Sequence, residues 1–288
     1  MKKRFFILLI CLVLCCQSVA SSVTPLAREA RADASAIAGP TAAPTDTPAP
    51  APSYTPAPEP TDTPEATDAP EPTATPEPTP DPARPMVALT FDDGPHPLKT
   101  APLLDLLEQY HIKATFYVLG TSLTEETSPL LQRMVDQGCE IGIHGLTHGK
   151  IDHLIPTSLT KKLLDMSAMI SERVEGGYTP RTMRPPGGHL SQTVKKVTLE
   201  LGISIVLWSV DTKDWKNNLD TVLKILRSKT RDGSIILCHD KGSGTQQALE
   251  IFIPELLAQG YDFVTVSELL SRHGTPAEPG AVYLCMDP

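Results

Sequence analysis

From residue 87 onward, short apolar runs alternate with amphipathic stretches, and run after run stops at a carboxylate or a histidine. The run 87–91 ends at Asp92 and Asp93, 139–143 at His144, 204–210 at Asp211, and 234–238 at His239. Largely apolar runs of this length suit strands covered on both faces. Two further runs, 114–118 and 263–266, complete the predicted strands. Between them lies helical spacing: Leu103, Leu104, Leu106 and Leu107; Leu130, Leu131, Met134 and Val135, closed by Gly138; 159–174; Val194, Val197 and Leu201, closed by Gly202; 219–226; and 251–257, stopped by Gly260. This alternation predicts βαβ units and a parallel sheet. In a parallel barrel the carboxyl ends of the strands share one face, and that face carries the chemistry. Core packing gives no reason for Asp or His to recur at the same end of each strand.

Composition sets the limits of that domain. Of the 29 prolines, 16 lie between Pro40 and Pro85, among Thr, Asp and Glu with almost no large apolar side chain. Proline fixes φ and removes donors, so residues 21–85 are expected to be a disordered, extended spacer. Lys2, Lys3 and Arg4 precede a 12-residue apolar run, 5–16, and Ser18-Val19-Ala20 has the small-x-small form of a cleavage site. Residues 1–20 are therefore expected to be a signal peptide and the domain to act outside the cell or at its wall. Left uncleaved, this end would be a membrane tether, and Cys15 and Cys16 raise lipidation as another anchor. The domain itself is expected over 86–274, with 275–288 a C-terminal tail. The formal charge is −9, with 19 Lys/Arg against 24 Asp/Glu from residue 86 on. That balance disfavours nucleic acid as a partner, which needs a basic patch. Cys139 and Cys238 suit small buried positions. Three cysteines in the mature chain make no disulfide scaffold, although a Cys238–Cys285 bridge stays open.

The candidate site residues each have a plainer alternative. Asp92 and Asp93, before Gly94-Pro95, are also turn formers. As a pair at a strand end they can divide metal binding and base chemistry. His144 and His148 are four apart, a spacing that on a helical turn would bring both imidazoles to one ion. With Asp93 they would form a two-histidine, one-carboxylate set with positions open for water and substrate. Arg184-Pro185-Pro186-Gly187-Gly188 is either an ordinary loop or a segment in which Arg184 orients a carboxylate and a glycine N–H faces an oxyanion. Trp208, in an apolar run, is expected in the core. Trp215, after Asp214 in a polar loop, offers a face to a sugar ring. His239 is a satisfied core histidine or a general acid. His96, His111, His153, His189 and His273 are expected on the surface or in loops.

Taken in order, Thr90-Phe91-Asp92-Asp93-Gly94-Pro95, His144-Gly145-Leu146-Thr147-His148, Arg184-Pro185-Pro186-Gly187-Gly188, Asp211-Thr212-Lys213-Asp214-Trp215 and Leu237-Cys238-His239-Asp240 resemble the NodB-homology polysaccharide deacetylases, carbohydrate esterase family 4. The resemblance spans about residues 86–270. It implies a distorted (β/α)7-type α/β barrel and a divalent metal, Zn2+ first and Co2+ as an alternative. It implies Asp93, His144 and His148 as metal ligands and Asp92 as the base that takes a proton from the attacking water. It implies Arg184 as the partner that keeps Asp92 ionised, the Gly187 N–H as oxyanion donor, and His239 as the acid for the leaving amine, tuned by Asp214. Leu237 and Trp215 would line the pocket for the acetyl methyl group. Two positions depart from the pattern: Gly145 where Ser or Thr is usual, and Gly187 where an aromatic residue is common. The implied activity is deacetylation of an N-acetylated cell-wall glycan, peptidoglycan first, by a monomer. An O-acetyl esterase acting on xylan and a non-catalytic glycan-binding module of the same fold are the alternatives.

Overall fold

The computed structural model describes residues 84–242, 244–272 and 276–286. The expected signal peptide, nearly all of the spacer and His273 lie outside the described residues. Among the described residues no helix is long and apolar enough to cross a membrane.

The expected alternation of strands and helices is present. In chain order the elements are β1 (Met86–Asp92), α1 (Thr100–Gln109), β2 (Thr115–Leu119), α2 (Ser128–Asp136), β3 (Glu140–Gly145), α3 (Pro156–Ser171), β4 (Thr182–Met183), α4 (Gln192–Glu200), β5 (Ser204–Val206), β6 (Val210–Asp211), α5 (Leu219–Lys229), β7 (Ser234–His239), α6 (Thr245–Ala258), β8 (Asp262–Val264), α7 (Val266–Leu270) and β9 (Val282–Tyr283). The strands form one sheet in the order β6-β7-β1-β2-β3-β4-β5-β9, with β8 beside the first half of β1. Every pairing between these strands is parallel. β5 and β6 stand near opposite ends of this order, yet only residues 207–209 separate them. Four residue steps span at most about 14 Å. The sheet must therefore curl until its two sides nearly meet, which makes it an incomplete parallel barrel.

Period two decides which side chains face where. Val87, Leu89 and Phe91 of β1, Phe116 and Val118 of β2, Ile141 and Ile143 of β3, and Ile236 and Cys238 of β7 pack with the helices in the larger core. The alternate residues Met86, Ala88, Tyr117, Val206 and Ile235 form a second core inside the curl, closed at one end by Val266, Leu269 and Leu270 of α7. The same parity turns Asp92, His144 and His239 inward at the carboxyl ends of their strands. Glu140, at the opposite end of β3, accepts hydrogen bonds from Thr115 Oγ1 (3.2 Å), Thr182 Oγ1 (2.8 Å), and the N–H and hydroxyl of Ser267 (2.9 and 2.8 Å). It ties three strands to α7.

Four expectations change. The run 204–210 is two strands in different parts of the sheet, because the carbonyls of Val206 and Leu207 turn out of the ladder towards Arg184. The last predicted strand stops at Val264, since the Thr265 and Glu268 side chains form a capping box that starts α7. Residues 276–286, read as tail, contain β9 on the edge of β5 and an antiparallel bridge between Cys285 and Ser234. Cys139, Cys238 and Cys285 are all free thiols, the first two buried, so the open Cys238–Cys285 bridge is absent.

Candidate active site

Asp92 is the last residue of β1, and its Oδ1 lies 2.7 Å from Arg184 Nη1. Arg184 is fully buried. Its Nη1 also donates to Thr90 Oγ1 (2.7 Å), its Nε to Val206 O (3.2 Å) and its Nη2 to Leu207 O (2.8 Å). The guanidinium lies over the Tyr117 ring, 4.3 Å from the centroid, with the Trp208 ring 5.7 Å away on another side. A guanidinium this deep needs a paired anion, and Asp92 is that anion. Gly142, below the site in β3, leaves room for the ring, since a Cβ there would come 2.4 Å from Tyr117 Cε1. Trp208 therefore leaves the expected core: it is half-buried, between the guanidinium and Gly188.

Asp93 follows with φ +75°, a left-handed conformation that Asp tolerates better than most residues. The turn aims its Oδ1 to 3.5 Å from His144 Nε2 and 3.7 Å from His148 Nε2. His144 and His148 do not share a helical turn, as their spacing suggested. His144 is the penultimate residue of β3, and the chain swings round at Gly145 (φ +115°) to bring His148 alongside it, ring centroids 5.3 Å apart. His144 Nδ1 lies 2.7 Å from the Arg184 carbonyl. A carbonyl only accepts, so the proton sits on Nδ1 and the Nε2 lone pair faces Asp93. Burial pushes the His144 pKa down and favours that neutral form.

One donor atom from each of Asp93, His144 and His148 lies within 4.8 Å of the others. Asp93 Oδ1 and His144 Nε2 are buried without a hydrogen-bond partner. Buried polar atoms left unpaired are costly, and a cation between them would satisfy both. Two imidazoles and one carboxylate fit a divalent ion of the zinc type.

His239 ends β7 and is in register with Asp92 on β1. Its Nδ1 lies 2.8 Å from Asp214 Oδ1, and its N–H donates to Asp214 Oδ2 at 2.7 Å. Asp214 is fully buried. Burial alone would raise its pKa, but the hydrogen bonds and charge of His239, with the Thr245 hydroxyl, hold it below the ordinary carboxylate value. Burial likewise opposes charge on His239, yet Asp214, with Asp92 and Asp93, raises its pKa.

The remaining sequence candidates surround this centre less closely. Leu237 is buried on the inward parity of β7. Gly187 (φ +64°) is exposed in a single turn of 3-10 helix, Pro186–Gly188, beside the turn after His144. Trp215 is 63% exposed, its ring faced by Lys216 Nζ at 5.0 Å, so it stands open to solvent rather than in a closed pocket. Thr90, Tyr117, Thr245 and Asp240 also support the centre, in roles that the sequence does not disclose. Asp240 is buried, and its Oδ2 accepts from Thr100 Oγ1 and, at 3.1 Å, from the His96 N–H, tying the loop after β1 to the end of β7. The only signal for it was its place directly after His239.

Comparison with known proteins agrees with this geometry. Residues 79–206 match the family profile described as polysaccharide deacetylase. A peptidoglycan-N-acetylglucosamine deacetylase of Listeria monocytogenes is 38% identical over 184 residues, 64% of this chain and 38% of the Listeria protein. A peptidoglycan-N-acetylglucosamine deacetylase of Bacillus cereus is 37% identical over 191 residues, covering 64% of this chain and 88% of the relative. A family 4 acetyl xylan esterase from Clostridium thermocellum, solved in complex with a cobalt ion, superposes with TM-score 0.65 at 34% identity, over 70% of this chain and all of that one. The matched segment thus spans well under half the length of the Listeria protein and most of the Bacillus cereus one.

Proposed function

The chain belongs to the polysaccharide deacetylase family, and from that premise we propose that it hydrolyses acetyl groups from N-acetylated glycans, with cell-wall peptidoglycan as the natural polymer. The observation that carries this reading is Asp92, fixed at 2.7 Å by a fully buried Arg184 and in register with His239, beside the Asp93, His144 and His148 donor set. An acetamide is a poor electrophile with a poor leaving group, so its hydrolysis needs a base for water, stabilisation of the oxyanion and an acid for nitrogen.

Asp93, His144 and His148 would hold a divalent cation, zinc by the chemistry of the donors with cobalt as an alternative, and it would supply Lewis acidity for the water and the carbonyl. Asp92 accepts a proton from the attacking water as the new C–O bond forms. Arg184 fixes Asp92 through Oδ1 and leaves its Oδ2 facing the site, 3.7 Å from His144 Nε2. The Gly187 N–H donates to the developing oxyanion. His239, its Nδ1–H held by Asp214, gives its Nε2 proton to the nitrogen as the C–N bond breaks. The products are acetate and a free amine. Leu237 and Trp215 would bound the methyl and sugar faces. The N-terminal sequence supports export, cleavage after residue 20 and a long spacer that lets a monomeric domain reach the wall. Left uncleaved, the same end would tether it to the membrane.

The test is acetate release from peptidoglycan, N-acetylglucosamine oligomers and acetylated xylan, with and without chelator. Release from the first two that chelator abolishes and zinc restores is expected, with Asp92→Asn reducing it by roughly 10²–10⁴-fold. Release from xylan alone would move the assignment to O-acetyl esters, the substrate class named for the Clostridium relative. No release from any polymer by metal-loaded protein would leave a glycan-binding module.

A further inference from the structure

Asp214 is held at both oxygens. Oδ1 receives the His239 Nδ1–H, while Oδ2 receives the His239 backbone N–H and the hydroxyl of Thr245, the latter at 2.5 Å. Two of these three bonds come from His239 itself, the residue that Asp214 is meant to orient. Thr245 supplies the independent one. It is buried, it is the first residue of α6, and it brings the anchor from a helix rather than from the strand ends. The bond from Oδ1 can turn with the imidazole, so the orientation of the carboxylate is set at Oδ2, where the β7 backbone N–H and the Thr245 hydroxyl hold it from two rigid elements.

The local backbone is shaped around the same contact. The Gly242 N–H donates to His239 O at 3.0 Å, closing a turn between β7 and α6. A Cβ at position 242 would stand 2.0 Å from Thr245 Oγ1 and 2.6 Å from Asp214 Oδ2. Only glycine leaves space there for hydroxyl and carboxylate to meet.

We propose that Thr245 is a positioning residue for the reaction, fixing the Asp214 carboxylate so that His239 presents its Nε2–H to the leaving nitrogen; this deepens the proposed hydrolysis and rests on that reading. The charged groups acting on His239 are Asp214 and, from the end of β1, Asp92 and Asp93. Thr245 is the only hydrogen-bond donor to Asp214 outside His239 itself among the described residues.

The test compares Thr245→Val, Thr245→Ser and Gly242→Ala with the parent chain. One readout is the downfield NMR resonance of the His239 Nδ1 proton in metal-free protein, assigned by its loss in His239→Gln. The other is kcat and KM for acetate release from an N-acetylglucosamine oligomer. Thr245→Val should weaken the hydrogen-bonded proton signal and lower kcat roughly tenfold with KM nearly unchanged, as loss of one orienting bond to a general acid would. Thr245→Ser should restore both. Gly242→Ala, which keeps the hydroxyl but forces it aside, should behave like Thr245→Val, and it carries the test if the valine variant does not fold. Parental proton signal and kcat in Thr245→Val, or a serine variant as impaired as the valine one, would overturn the proposal. If the parent protein releases no acetate from any substrate, the hydrolase reading fails by itself, and the proton signal still decides whether Thr245 holds the pair.

Discussion

Asp214 and His239 hold each other in opposite charge states. Burial alone would raise Asp214 and lower His239; the hydrogen bond between them, with Asp92 and Asp93 adding to the pull on His239, reverses both. The two contributions to stability are lost at opposite ends of the pH scale. Asp214, whose folded value is depressed, contributes above its unfolded value and loses that contribution as pH falls through the folded one. His239, whose folded value is raised, contributes fully below its unfolded value and loses that contribution as pH rises through the folded one. The pair is therefore most stabilising between the unfolded carboxylate and unfolded imidazole values, and its contribution fades beyond them, towards the lowered acid on one side and the raised imidazole on the other. A general acid must also carry its proton, so acetate release should decline as pH rises through the raised His239 value. Asp214→Asn should move that alkaline limb of kcat/KM to lower pH and reduce kcat roughly a hundredfold. An unmoved limb in that variant would assign the ionisation to another group.

Elements are where the sequence and the structure part company, and the reasons are local. Long apolar runs such as 87–91 and 234–238 became β1 and β7, and their terminal Asp92 and His239 stand where the runs stop. β4 escaped notice because two residues between Arg181 and Arg184 make no apolar run, although this strand sets the buried Arg184 in position. His144 and His148 were legible as a pair, but not the turn that joins them, since strand-then-turn and helix can both bring residues four apart together. Glu140 was invisible as a structural residue, because a carboxylate at the start of a strand looks like solvent-facing charge. In the fold it is buried and accepts four hydrogen bonds at the end of the barrel opposite the site. Glu140→Ala should strand those donors and cost about 3 kcal/mol, read as a lower urea midpoint. Its distance from the mouth predicts that the folded fraction keeps its kcat. A midpoint equal to the parent's would show that α7 and the strands are held by packing alone.

At the scale of the whole molecule, the described residues form the barrel, and a Pro-rich sequence precedes it. We propose that the Pro-rich composition of residues 21–83 gives reach; Arg84, which pairs with Asp262 at 2.8 Å, marks where the described barrel begins. Deleting residues 40–83, which leaves that ion pair intact, should not alter kcat/KM on soluble oligomers but should reduce acetate release from intact cell walls. Equal loss on both substrates would mean that the segment takes part in folding or catalysis. Asp93, His144 and His148 are brought from the ends of two strands to within 4.8 Å of one another, and the proposed chemistry requires that they hold one divalent cation beside Asp92. The most direct measurement is the zinc content of dialysed protein, compared with His144→Ala of matched circular dichroism. One zinc per parent chain, lost in His144→Ala, is the expected result; a folded parent chain that retains no zinc, or a variant that retains it in full, would contradict the account.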